Sequence, residues 1–152
     1  LQYAKSQAEE NSTKINLNVL MTEILTNFDK NKYDFLNNQN IEIEGRKNLI
    51  KRCIVNIITN GLAYGDKISI QTKKSINSAV IIIEDNGPGI PQSEYLNVFK
   101  PFYRIDKSRG LNKSGVGLGL PISQDIIKSH GGNISLSKSK LGGLLVKISL
   151  PF

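Results

Sequence analysis

The segment at residues 78–85 constrains the fold of this chain more than any other. Its sequence, SAVIIIED, is an apolar run that ends in two acids. So apolar a run predicts a strand at the centre of a sheet, covered by helices. Residues 86–90, NGPGI, hold a proline between two glycines, which is typical of a turn or of backbone that a ligand approaches closely. Asp85 is therefore predicted either to end a strand before a turn or to lie at the mouth of a pocket.

The length and composition of the chain predict one globular domain. Its 152 residues suffice for a single core, and no apolar run is long enough to cross a membrane. The first residues do not resemble a signal peptide, and the start at Leu1 instead of Met indicates a piece excised from a longer protein. Cys53 is the only cysteine, which excludes an internal disulfide and fits a reducing, cytosolic setting.

The positive charge of the chain is concentrated in one region. The formal net charge is +7, and residues 100–113 hold five cations against one anion. This distribution indicates an anionic partner: nucleic acid, a phosphate-rich small molecule or an acidic protein face. A nucleic-acid-binding module would also need a recognition motif, and the sequence shows none.

Hydrophobic periodicity predicts an α+β sandwich with a mixed sheet, because helices interleave with strands while two strand pairs form hairpins. The predicted helices are residues 17–28, 48–64 and about 118–129. The predicted strands are a short one near Tyr33, one carrying Ile41 and Ile43, and residues 67–72, 78–85, 133–139 and 144–150. Residues 86–114 are predicted to form a long irregular region, which in a compact domain is typical of a functional lid.

The predicted helix at residues 48–64 carries a polar stripe beside its core face. The core face consists of Ile50, Ile54, Ile57, Ile58 and Gly61. Asn56, Asn60 and Tyr64 recur at four-residue steps along the border of that face. An unpaired amide there would cost about 1–3 kcal/mol, so both amides need partners. Either they bond neighbouring backbone, or their oxygens bind Mg²⁺ that is shared with substrate phosphates, and Tyr64 offers its ring to a nucleobase.

Two further segments are compatible with phosphate binding. In residues 114–122, SGVGLGLPI, glycines alternate just before a predicted helix, whose N-terminal N–H groups favour anions. The spacing is neither that of a Walker loop nor that of a dinucleotide fingerprint. In residues 98–110, Arg104 and Arg109 are either phosphate clamps on a lid or part of a solvated basic loop.

Four motifs in a fixed order carry a resemblance to a known family. NIITN on a helix, DNGPGI after a strand, FKPFYR in the loop and GVGLGL at the start of a helix resemble the N, G1, F and G2 boxes of sensor histidine kinases. The chain resembles their catalytic and ATP-binding domain, of the EnvZ-like type. The resemblance extends from about residue 17 to residue 152.

The resemblance implies a Bergerat fold: a two-layer α+β sandwich with a mixed five-stranded sheet, three helices on one face and a long ATP lid. Residues 1–14 are expected to be the end of an upstream dimerisation helix with a linker, and residues 15–152 the catalytic and ATP-binding domain. The implied function is to bind ATP with Mg²⁺ and to donate the γ-phosphate to a histidine outside this chain.

The resemblance also assigns roles to single residues. Asp85 would accept a hydrogen bond from the adenine amino group, and Asn56 and Asn60 would be the catalytic, Mg²⁺-associated amides. Gly87 and Gly89 would shape the adenine wall and hinge the lid, and Arg104 would reach phosphate. The remaining implied nucleotide contacts are Tyr64, Ile90, Phe102, Arg109, Gly115, Val116, Gly117, Leu118, Gly119 and Leu120.

Two alternatives are weighed against this function, a superfamily ATPase and a non-catalytic nucleotide-binding regulatory domain. A superfamily ATPase carries a glutamate at the position of Asn56 to activate water, and an amide cannot act as that base. Many relatives carry Lys or Arg at the position of Ala63, so a non-catalytic nucleotide-binding regulatory domain is the other alternative. Arg109 or Lys113 could replace the missing phosphate contact.

The expected partners lie mostly outside this sequence. His130, the only histidine, lacks the flanking residues of a phosphoacceptor and is predicted to cap or pack at a helix end. The acceptor helix and a response regulator would be reached through the parent kinase, which the resemblance implies to be a homodimer in the inner membrane. The isolated domain is expected to be a cytoplasmic monomer that binds no nucleic acid.

Overall fold

The computed structural model describes residues 10–37, 39–101, 103 and 119–152, which form an α+β fold. In these residues the α-helices are α1 (Leu17–Leu25), α2 (Lys47–Tyr64) and α3 (Gly119–Ser129). The strands are β1 (Thr13–Asn16), β2 (Tyr33–Asn37), β3 (Glu42–Gly45), β4 (Ile68–Lys74), β5 (Ser78–Asp85), β6 (Asn133–Lys138) and β7 (Leu144–Pro151). Short 3-10 helices cover Lys30–Lys32, Gln92–Glu94 and Asn97–Phe99.

The main sheet has five strands in the order β2-β4-β5-β7-β6. β2 runs parallel to β4, while the other neighbours are antiparallel, so the sheet is mixed, as predicted. The most apolar strand, β5, lies at its centre. In the register, Ile81 pairs with Thr72 on one side and with Ile148 on the other, and all three side chains are buried. The prediction that the apolar run at residues 78–85 forms the central strand is therefore confirmed, and β7 lies beside it.

A separate two-stranded sheet pairs β1 with β3. The sequence predicted the strand with Ile41 and Ile43 but not its partner at Thr13–Asn16, which pairs with Glu42–Gly45. Strand β1 begins two residues before the predicted start of the catalytic domain. Glu10 and Asn11, which were expected to end an upstream helix, have no regular secondary structure.

The helices bury their apolar faces between themselves and one face of the main sheet. α2 and α3 pack together and contact that sheet, and α1 contacts α2. The predicted core face of α2 is buried, as Ile50, Ile54 and Ile58 show. None of the helices in the described ranges is long and apolar enough to span a membrane.

α1 ends at Leu25, three residues before the predicted end at Phe28. The N–H groups of Asn27 and Phe28 donate to the carbonyls of Ile24 and Leu25, three residues back, which is the tightened geometry of a helix that is ending. Phe28 still packs against the core, so the apolar spacing indicated burial correctly and the helix length incorrectly.

α2 is capped at its first turn by a residue from the start of the chain. The carboxylate of Glu10 accepts the N–H of Asn48 at 2.7 Å and the N–H of Leu49 at 3.2 Å. These N–H groups have no acceptor within the helix, and a negative charge is favourable at a helix N-terminus. The residue that precedes the helix, Arg46, makes no side-chain cap of its own. Glu10 thus joins the N-terminal segment to α2.

His130 joins the end of α3 to the start of α2. Its Nε2 accepts the backbone N–H of Arg46 at 3.0 Å, and its Nδ1 lies 2.8 Å from the carbonyl oxygen of Ile126. The ring must therefore be neutral with its proton on Nδ1. Burial lowers the pKa of His130, the Ile126 carbonyl opposes this, and the nearby charges of Arg46 and Glu10 lower and raise it respectively. His130 is a packing and capping residue, as predicted.

The neutral ring of His130 makes the stability of the domain pH-dependent. The pKa of His130 is lower in the folded chain than in the unfolded chain, where it is about 6.5. The bonds of the neutral ring therefore stabilise the fold fully above the unfolded-state pKa, and this stabilisation is lost as the pH falls through the folded-state pKa. We expect the free energy of unfolding to decrease as the pH is lowered from 7.5 to 5.5. In His130→Gln this free energy should change less with pH. Urea unfolding at each pH measures it, and equal slopes for both proteins would contradict this assignment.

Candidate functional site

Asp85 is the last residue of the central strand, and its carboxyl group is held by two backbone donors. Oδ1 accepts the N–H of Gly87 at 2.9 Å and the N–H of Leu144 at 3.3 Å. Burial raises the pKa of Asp85 above its ordinary value, and the two N–H groups oppose this rise because they favour the ionised form. A half-buried carboxylate with one oxygen bonded in this way is suited to accept a hydrogen bond from a ligand with the other.

Helix α2 packs closely against the end of β5 at Asp85 because a glycine lies at the contact. A Cβ atom built on Gly61 would lie 3.1 Å from Cγ2 of Ile68 and 3.5 Å from Cβ of Asp85. Asn60 directly precedes Gly61, and Asn56 lies one turn earlier, both half-buried. The close packing at Gly61 therefore brings the helix that carries the predicted metal-binding amides against the strand end that carries the predicted base-binding carboxylate.

The loop after β5 runs close to the C-terminal end of α2. A Cβ on Gly87 would lie 2.8 Å from the backbone oxygen of Tyr64, the last residue of the helix. Oδ1 of Asn86 accepts the N–H groups of Asp66 and Lys67, at 2.8 and 3.0 Å, and so fixes the turn that follows α2. Gly87 thus permits a close approach of two backbones beside Asp85.

Gly89 adopts a left-handed backbone conformation in the same loop. Its φ is 71°, a value that glycine adopts without the steric cost of a side chain. A Cβ at this position would lie 3.4 Å from the carbonyl oxygen of Gly142 in the β6–β7 turn. The next residue, Ile90, packs against the core. The positive φ of Gly89 and its closeness to Gly142 together explain why this position is a glycine.

The start of α3 meets α2 at Asn56. A Cβ built on Gly119 would lie 3.2 Å from the Cβ of Asn56, so the glycine lets the two helices approach. The next residue, Leu120, is buried in the core and is thus a packing residue in this structure. The other predicted contacts, together with Lys113, lie outside the described residues: Phe102, Arg104, Arg109, Gly115, Val116, Gly117 and Leu118.

Part of the predicted lid region, residues 86–114, is fixed to the body of the domain. Val98 is buried, and Phe99 packs against the core. The hydroxyl of Tyr103 hydrogen-bonds to the Glu94 carboxylate. That bond is the main cause that raises the pKa of Tyr103. Phe99 and Tyr103, on either side of Pro101, therefore both have fixed positions.

The contact between the β6–β7 turn and Asp85 was not predicted from the sequence. The N–H of Gly143 donates to the backbone oxygen of Asp85 at 3.2 Å. A Cβ on Gly143 would overlap Oδ1 of Asp85 and lie 2.8 Å from the N of Gly87. The paired glycines at 142 and 143 were the available signal, but they were interpreted only as a turn between two strands.

The donor set of this site is made of oxygens, without a cluster of the residues that hold transition metals. Among the described residues, no three His, Cys, Asp or Glu side chains could hold a metal ion together. The half-buried amides of Asn56 and Asn60 offer carbonyl oxygens, which fit a hard cation such as Mg²⁺. Fold and site together define a Bergerat-type ATPase domain, with a carboxylate at the end of the central strand facing an amide-bearing helix.

The family follows from residues 45–152, which match the model of the histidine kinase-, DNA gyrase B- and HSP90-like ATPases. The chain belongs to this family. It is 33% identical to sensor histidine kinase GtrS of Pseudomonas aeruginosa over 150 residues, which cover 93% of this chain and 29% of GtrS. It is 35% identical to sensor histidine kinase CpxA of Escherichia coli K12 over 108 residues, or 70% of this chain and 24% of CpxA. The chain thus spans less than a third of either relative.

Solved structures of histidine kinase catalytic domains share the fold. The catalytic domain of histidine kinase ThkA superimposes with a TM-score of 0.80 at 26% sequence identity, covering 93% of this chain and 95% of that one. The agreement over nearly the whole of both chains confirms the predicted fold class.

Proposed function

We propose that this chain is the ATP-binding catalytic domain of a sensor histidine kinase and donates the γ-phosphoryl group of ATP to a histidine outside this sequence. The supporting observation is that α2, which carries Asn56 and Asn60, contacts the strand end at Asp85 through Gly61 and the start of α3 through Asn56. The phosphorus–oxygen bond to the β-phosphate breaks, a bond to an imidazole nitrogen forms, and ADP leaves. Such a transfer depends mainly on positioning and charge neutralisation, which a site of oxygen and N–H groups can provide.

In this proposal, some residues of the chain bind the adenine base and others bind the Mg²⁺ ion at the phosphates. Asp85 would accept the adenine amino group, with Gly87 and Gly89 forming the wall beside the base and Tyr64 stacking on it. Asn56 and Asn60 would hold Mg²⁺, which neutralises phosphate charge when it is bound.

The only histidine of the chain is not available as the phosphoacceptor. Both ring nitrogens of His130 are engaged, one by the N–H of Arg46 and the other by the carbonyl of Ile126. Transfer would therefore require a histidine on another domain. We propose that the parent is a membrane-bound homodimer whose cytoplasmic part contains this domain, and that it passes the phosphoryl group to a response regulator.

A self-contained ATPase is the less favoured function. Water attack on ATP needs a general base, and the amide of Asn56 cannot accept a proton at neutral pH. Only slow ATP hydrolysis by the isolated chain fits the proposal, whereas rapid steady-state turnover would favour the ATPase.

The test of the proposed site is the Mg²⁺ dependence of ADP binding. We expect the native chain to bind ADP more tightly in Mg²⁺ than in EDTA. Asn60→Ala should remove most of that difference, a change of about tenfold, or roughly 1.4 kcal/mol. Isothermal titration under both conditions measures it without any need for turnover.

The matched control is Thr59→Ala, an exposed position on the same helix. It should bind ADP like the native chain under both conditions. An Mg²⁺ effect that survives in Asn60→Ala would reject the role of this amide, and absence of ADP binding to the folded native chain would reject the proposed function.

A further inference from the structure

Ser139 is a polar residue that is almost fully buried in the turn between β6 and β7. Only 2% of its surface is exposed, and all of its polar groups are engaged. Its hydroxyl donates to the carboxylate of Glu84 at 2.8 Å and accepts the N–H of Leu141 at 3.0 Å. Its backbone N–H donates to Gly143, and its carbonyl accepts the N–H of Gly142. Because Ser139 makes these four hydrogen bonds, it fixes the position of the turn.

The same turn holds Asp85 from the other side. The N–H of Gly143 donates to the backbone oxygen of Asp85, and the N–H of Leu144 donates to Oδ1. Because side chains alternate along a strand, Glu84 and Asp85 point to opposite faces of the sheet. The turn therefore bonds to both faces at the end of β5: through the hydroxyl of Ser139 at Glu84, and through backbone N–H groups at Asp85.

These bonds constrain the direction of the Asp85 carboxylate. One oxygen is committed to Gly87 and Leu144, so the orientation of the other follows from where the turn places Leu144. The bond between Ser139 and Glu84 anchors that turn against the strand. A charge-assisted hydrogen bond of a buried hydroxyl is among the stronger bonds in a protein, and its loss leaves the turn free to move away from Asp85.

We propose that Ser139 is a positioning residue that sets the selectivity of the site for adenine through Asp85. This inference rests on the proposed function, in which Asp85 accepts the amino group of adenine. Ser139 itself would not touch the nucleotide. Its effect would be confined to the part of the binding energy that depends on the base, since the phosphates are bound elsewhere in the site.

The experiment compares ADP with inosine diphosphate, in which a carbonyl oxygen replaces the amino group. We expect Ser139→Ala to weaken ADP binding about fivefold to tenfold and to leave inosine diphosphate binding within about twofold. The ratio of the dissociation constant for inosine diphosphate to that for ADP should therefore fall. Ser139→Thr keeps the hydroxyl and should restore the ratio. The control Ser137→Ala, at an exposed position in β6, should not change it.

Two further variants keep the test decisive. Glu84→Ala removes the acceptor from the other side and should lower the ratio in the same direction if Ser139→Ala is poorly folded. In chains that carry Asp85→Ala, which lack the carboxylate altogether, Ser139→Ala should have no further effect on the ratio, because Ser139 acts only through that group.

The outcomes separate this inference from the proposed function. If Ser139→Ala weakens both nucleotides equally, Ser139 only stabilises the fold and the inference is overturned. If Asp85→Asn leaves the ratio of the native chain unchanged, the adenine site itself is wrong and the inference is overturned with it. If Ser139→Ala lowers the ratio in the native background but not in the Asp85→Ala background, both the inference and the proposed adenine site are supported.

Discussion

Asp85→Asn is expected to weaken ADP binding on the order of 100-fold and to reverse the preference for ADP over inosine diphosphate. Oδ1 accepts the N–H groups of Gly87 and Leu144, so an asparagine would keep its oxygen there and turn its NH₂ group toward the base. That group would meet another donor in adenine but an acceptor in hypoxanthine. Isothermal titration with both diphosphates measures the two changes.

The substitution is expected to leave the domain folded. Burial raises the pKa of Asp85, so the ionised form is less favourable in the folded chain than in the unfolded one. With this sign, the charge reduces stability once the pH exceeds the unfolded pKa. A neutral asparagine that keeps both N–H bonds avoids that cost, so the Tm at pH 7 should be equal to that of the native chain or slightly higher.

Asp66→Asn is the matched control because it removes the same charge from an exposed position in the turn after α2. It should retain native affinity and base preference. If Asp85→Asn behaves like this control in folded material, the carboxylate does not bind adenine.

Gly143→Ala is expected to have the second large effect, on stability and on nucleotide binding together. The added methyl would overlap Oδ1 of Asp85 and lie 2.6 Å from its backbone oxygen, so the turn has to move and its bonds to Asp85 break. Overpacking and the lost hydrogen bonds together should cost roughly 3 kcal/mol. ADP affinity should fall more than about tenfold. Urea unfolding and isothermal titration give the two quantities.

Gly131→Ala provides the comparison for a glycine substitution away from the site. Gly131 has a φ of 75°, and a Cβ there meets only the Pro151 side chain, at 3.6 Å. Its cost should be the backbone penalty alone, about 1–2 kcal/mol, with native ADP affinity. Equal unfolding and binding data for the two variants would contradict the steric argument at Gly143.

Features that depend on local periodicity could be predicted from the sequence. The apolar run of β5 placed it at the centre of the sheet, and the three-four spacing of α2 gave its buried face, because each pattern records which side of an element is covered. The motif residues Asn56, Asn60 and Asp85 were found in the same way, and the structure brings their elements together. The roles of these residues in binding stay predictions.

Features that depend on which distant segments meet could not be predicted. The turn that holds Asp85 is 59 residues away in the chain, and no local pattern around Ser139 or Gly143 indicates that partner. Strand β1 was missed because its four residues, TKIN, show too little alternation, and only its pairing with β3 defines it. The cap from Glu10 to α2 likewise joins segments whose proximity follows from the complete fold.

The position of that cap has a mechanical consequence for the whole molecule. α2 is a rod of 18 residues, about 27 Å long. Glu10 caps the first turn of this helix, and Asn60 and Tyr64 lie in its last turn. A displacement of the residues leading into β1 would therefore act on the start of the same helix that carries Asn60 and Tyr64 at its other end. The N-terminal segment and the proposed nucleotide contacts of α2 are thus joined by one continuous helix.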